Sequence, residues 1–130
     1  MYFAEADPMF AELPMMARVP EVETRNGNSI TARWREWKNP PDRGSGPITR
    51  YVLYYKKIGE SDWLVLPETS NRSATATDLL EETTYQFRVA PIHQSGFIGL
   101  PSPTMNVATC GRKNFTTTIQ YFSIFEFSVD

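Results

Sequence analysis

The chain has 130 residues, a formal charge of −2, 13 Lys and Arg against 15 Asp and Glu, and 41% apolar residues. That suits one domain burying about two thirds of its unfolded surface, and the weak acidic balance gives no electrostatic footprint for nucleic acid. No apolar run reaches the ~20 residues of a membrane-spanning helix, the N-terminus has no basic-then-apolar leader, and a lone cysteine, Cys110, excludes an internal disulfide framework.

Residues 1–16 alternate acidic and apolar positions, interrupted by Pro8 and Pro14, and read as an arm or linker that docks without founding the fold. From Ala17 to Glu23, Val19 and Val22 flank Pro20, which suits an edge strand where a missing N–H does no harm. Asn26-Gly27-Asn28 marks a turn. Ile30, Ala32 and Trp34 then alternate with Thr31, Arg33 and Arg35, the pattern of a strand with one buried face.

Trp37 to Pro47 is a loop rich in proline and glycine. It lacks the Lys-Ser or Lys-Thr and the following helix of a phosphate cradle, and Asp42-Arg43-Gly44 is not the Arg-Gly-Asp order of adhesive loops. Ile48, Tyr51, Leu53 and Tyr55 form the next inward series, with Arg50, Val52, Tyr54 and Lys56 facing away. Ile58 to Asp62 turns the chain, Trp63 to Leu66 gives a short strand, and Pro67 to Asn71 turns it again. Ala74 and Ala76 alternate with Ser73, Thr75 and Thr77. Beyond the acidic turn at Glu81-Glu82, Tyr85, Phe87 and Val89 alternate with Thr84, Gln86 and Arg88. Pro91 casts doubt on how far this strand runs, since proline cannot donate to a ladder. A loop from Pro91 to Pro101 precedes a last strand around Thr104 to Thr109.

Leu79 six residues before Tyr85, with Thr83 two before it, resembles the tyrosine corner of fibronectin type III domains. The Pro-Pro-Asp-X-Gly loop ending in Gly46-Pro47-Ile48 and the Ile-X-X-Tyr-X-Leu-X-Tyr spacing are similar to the same family, in the same order. The resemblance covers residues 17–110 and implies an all-β, immunoglobulin-like sandwich of two sheets and seven strands. It implies that Trp34, Tyr51, Leu79 and Tyr85 are structural core, the Tyr85 hydroxyl bonding back to upstream backbone. Residues 111–130 fall outside it. In that extension Phe115, Ile119, Tyr121, Phe125, Phe127 and Val129 share one parity, so part of it is expected to be extended and to pair with a sheet edge.

Little in the chain suggests catalysis or a cofactor. One histidine, His93, and one cysteine cannot build a His/Cys structural zinc site. His93 near Ser95, and Glu60 and Asp62 either side of Ser61, are proximity in loops without an orienting group or a reason for a raised pKa. Surface recognition remains. Phe97 and Ile98, between Gly96 and Gly99, are the candidate partner contact, the alternative being that one folds back over the core edge. Asn71-Arg72-Ser73 and Asn114-Phe115-Thr116 make Asn71 and Asn114 candidate glycosylation sites. The expectation is a non-enzymatic protein-interaction or spacer module of an extracellular receptor or adhesion protein, contacting a protein partner or the parent chain's neighbouring domains. An intracellular scaffold module and an accessory domain attached to an enzyme are the alternatives.

Overall fold

The computed structural model describes residues 13–111, and the expected strand of the extension and Asn114 lie outside them. Seven strands form two antiparallel sheets: β1 (Glu21–Arg25), β2 (Ile30–Arg33), β3 (Ile48–Lys57), β4 (Leu64–Val65), β5 (Ser73–Ala76), β6 (Thr84–His93) and β7 (Met105–Ala108). One sheet runs β1-β2-β5 and the other β4-β3-β6-β7. The alternation of apolar residues dictates the stacking. Ile30, Ala32 and Ala76 from the first sheet meet Tyr51, Leu53, Tyr85, Phe87, Val89 and Val107 from the second in one core, with Trp34 and Leu79 closing it.

β3 and β6 are the long central pair, in register from Lys57 opposite Tyr85 to Ile48 opposite His93, with an irregularity between Ile48 and Arg50. That shift reconciles Ile48 with the odd-numbered inward series, because an extra residue in one strand flips the parity beyond it. Pro91 does not end β6. It sits opposite Tyr51, whose N–H and carbonyl both go to Thr69 on the other side, so this pair asks no donor of the proline.

Three expectations are corrected. The first strand begins at Glu21 rather than Ala17, because Pro20 precedes it and Ala17 N–H is diverted to Asp42 Oδ1 at 2.7 Å. The strand expected over Trp63 to Leu66 is only Leu64–Val65, short enough to leave both side chains more than half exposed. Val52 does face away from the main core, and there, with Ala90, Ile92 and Tyr54, it forms a second apolar cluster on the opposite face of the larger sheet. Finally, the last residues of the expected arm are packed inside the folded unit. Pro14 and Met16 are buried, Met15 exchanges backbone hydrogen bonds with Arg43, and Leu100 N–H donates to the Pro14 carbonyl at 2.8 Å. Gly44 and Gly99 make this fit, since a Cβ on either would run into the carbonyl of Leu13 or Pro14.

Candidate interaction surface

The tyrosine corner holds the end of the sandwich where the described chain leaves it. Tyr85 is buried on β6 and its hydroxyl accepts the Leu80 N–H at 2.9 Å, while Leu79, also buried, donates its own N–H to the Asn28 carbonyl. Thr109, just after β7, locks the same turn: its hydroxyl donates to the Leu80 carbonyl at 2.6 Å and accepts the Thr83 N–H at 3.0 Å. Asp78 and Glu82 carry positive φ of 59° and 49°, the tight geometry that these bonds sustain.

Tyr51 performs the matching task in the other half. Its ring tilts against Trp34 at 5.8 Å between centroids, and its hydroxyl accepts the Trp37 N–H at 2.8 Å. Burial raises the Tyr51 phenol above its ordinary value of 10.0, with the Trp37 N–H pulling the other way. Asp42, buried in the proline-rich loop, accepts from Lys38 N–H at 2.8 Å and Ala17 N–H at 2.7 Å. Sequence reasoning passed over this residue. Its signal was a short acid within hydrogen-bond reach of its own loop backbone.

The loop from Gln94 to Leu100 lies at the same end as the entering chain. Phe97 is half-buried and stacks on His93, ring centroids 4.7 Å apart and planes 9° off parallel, while Ile98 and Leu100 are each nearly half exposed. Thus Phe97 is held by its neighbour and Ile98 is presented outward. His93 Nδ1 lies 2.8 Å from Ser95 Oγ and accepts the Ser95 N–H at 3.0 Å, which leaves Nε2 to donate toward the Gly46 carbonyl at 3.3 Å. A base oriented for proton abstraction needs a carboxylate or equivalent behind it. Here the partner is a backbone carbonyl. Glu60 and Asp62 are exposed, and Glu60 lies 3.9 Å from Lys57.

The outer face of the larger sheet carries an aromatic–cation stack that periodicity alone did not reveal. Trp63 lies under both Lys56 and Arg88, at 5.1 and 4.2 Å from its ring centroid, and Arg88 also covers Tyr54 at 5.6 Å. Asn71 is exposed at the turn before β5, its N–H on Thr69 Oγ1 at 2.9 Å, and Cys110 is a half-buried free thiol among the described residues. Among those residues no cluster of His, Cys, Asp and Glu could hold a metal ion, and no helix is long and apolar enough to cross a membrane.

The two sheets, their Trp34 core and the tyrosine corner define an immunoglobulin-like β-sandwich module. The family profile described as "Fibronectin type III domain" matches residues 18–108, and the chain belongs to that family. It is similar to "M-protein, striated muscle" of Gallus gallus, 39% identical over 62 residues that make up 46% of this chain and 4% of that protein. It is also similar to "Protein sidekick-2" of Gallus gallus, 33% identical over 84 residues, 61% of this chain and 4% of the relative. Among solved structures, the crystal structure of domains A168–A170 from titin aligns with a TM-score of 0.59 and 23% identity, covering 76% of this chain and 32% of that one, a likeness of fold. The chain spans only a few percent of the length of these curated relatives. It is related to modules of muscle and adhesion proteins.

Proposed function

We propose that this chain works as a non-enzymatic interaction and spacer module of a larger cell-surface receptor or adhesion protein. The carrying observation is the placement of its two ends. The described chain enters at Leu13–Met16, beside Arg43 and Leu100, and leaves at Cys110–Gly111, beside Asn26 and Glu82. These sites flank opposite ends of the ten-residue β6, about 30 Å apart at the rise of an extended strand. A unit threaded in this way transmits position and load along a series of domains, and its end loops meet whatever lies next to it. Likeness to sidekick-2 and to "Cell adhesion molecule-related/down-regulated by oncogenes" of Homo sapiens supports the cell-surface setting, as does the exposed Asn71 sequon. The muscle relatives and the free Cys110 favour a second reading, an intracellular scaffold module.

Ile98 and Phe97 are proposed to serve as the contact with the neighbouring domain or protein partner. Changing both to serine in the parent protein should leave the melting temperature nearly intact and weaken that association. A large stability loss would assign them to the core instead.

A further inference from the structure

β1 pairs with β2 only as far as Glu21 opposite Arg33. Beyond that point the two chains separate, because Pro20 has no N–H to offer and Ala17 is drawn to Asp42. Trp34 keeps a partner on the β5 side, its N–H donating to the Arg72 carbonyl at 3.0 Å. The gap is a groove of about 780 Å³, walled by Ala17, Arg18 and Val19 on one side and by Trp34, Arg35 and Glu36 on the other, with Arg33, Glu21 and Arg72 completing it.

Its chemistry is unlike the rest of a chain whose net charge is −2. Four guanidiniums line the groove against two carboxylates. Arg33 pairs with Glu21 at 3.3 Å and Arg72 with Glu36 at 3.6 Å. Arg18 and Arg35 have no acidic partner among the described residues. The backbone groups of Arg18, Val19 and Arg35 likewise make no hydrogen bond to a described residue. Trp34, which lines the groove and is only 6% exposed, carries an indole N–H without an acceptor. That indole N–H is closed off from solvent, so the side-chain donors left for a ligand are the Arg18 and Arg35 guanidiniums.

We propose that this groove binds a short, extended, acidic peptide segment of a partner protein, with its carboxylates on Arg18 and Arg35. A guanidinium offers a carboxylate two parallel donors, and extended backbone laid between the separating walls meets their free N–H and carbonyl groups. Glu21 and Glu36 argue for discrete carboxylates, since a densely sulfated or phosphorylated polymer would meet like charge along the groove. The proposal deepens the interaction-module reading by naming the site and the class of partner.

The test is fluorescence anisotropy of the full chain with a labelled eight-residue peptide of alternating glutamate and threonine, at low and physiological salt. The lysine–threonine peptide and a heparin fragment serve as comparison probes. The glutamate peptide should bind in a salt-sensitive way. Arg18→Ala/Arg35→Ala should weaken it roughly tenfold, about 1.4 kcal/mol, while Arg50→Ala on the other sheet should not. Both arginines are surface-accessible, and an unchanged melting temperature of the double variant secures the comparison. No binding of the glutamate peptide, binding indifferent to the double substitution, or tighter binding of heparin than of the peptide would each overturn the proposal. None of these outcomes touches the spacer reading, which rests on the placement of the module's two ends.

Discussion

Removing one oxygen from the tyrosine corner should destabilise this module in a predictable way. Tyr85→Phe keeps the ring in its buried site and deletes the acceptor that holds the Leu80 N–H at 2.9 Å. A neutral hydrogen bond is worth about 0.5–1.5 kcal/mol net, and an N–H left buried without a partner costs about 1–3 kcal/mol. Leu80 itself is 57% exposed, so its freed N–H can reach some water. The expected loss is therefore about 1 kcal/mol, or ~4–8 °C in melting temperature for a domain of this size. Urea unfolding gives the measurement, and the m-value should stay unchanged because the same surface is exposed on unfolding. Tyr55→Phe is the matched control. Its ring stacks on Phe87 with centroids 5.9 Å apart, and its hydroxyl has no hydrogen bond to a described residue, so its cost should stay below about 0.5 kcal/mol. Equal losses in the two variants, or none in Tyr85→Phe, would refute the role given to the corner.

Three further outcomes are expected. Trp34→Ala should cost about 3–5 kcal/mol by calorimetry, as truncations of large core side chains do, and an unchanged melting temperature would contradict its place against Tyr51. The raised Tyr51 phenol is neutral in both states through neutral pH; as pH rises past 10.0 the unfolded chain ionises first, so stability falls there and on to the folded-state value, and Tyr51→Phe should flatten that part of the alkaline unfolding profile. Passage through a secretory pathway should add glycosidase-sensitive mass at Asn71, and secreted protein wholly unmodified there would favour the intracellular setting.

What was legible in the sequence was whatever local chemistry decides. Trp34, Leu79 and Tyr85 could be placed because a two-residue period and a corner motif fix which face they occupy, and all three are buried. The same rule put Val52 on the opposite face, where it lies, but alternation cannot say that this second face also carries an apolar cluster. Met16 and Pro14 were assigned to an arm because they lack a period. Their burial comes from two glycines about 30 and 85 residues further along, a long-range fit that no local pattern encodes. The groove was invisible for a similar reason. Arg18, Arg35 and Arg72 are scattered in sequence: the β2–β5 pairing brings Arg72 beside Trp34, and Pro20 and Asp42 hold Arg18 across the gap from them.

The measurement that bears most directly on the module reading is mechanical. With the full chain placed between reference domains and pulled from its two ends, a series module should resist and then open in one cooperative step. Releasing residues 13–111 from a unit about 30 Å long should lengthen the chain by roughly 300 Å at about 3.6 Å per residue. One force peak with that gain is the predicted result. Smooth extension without a peak would contradict the account.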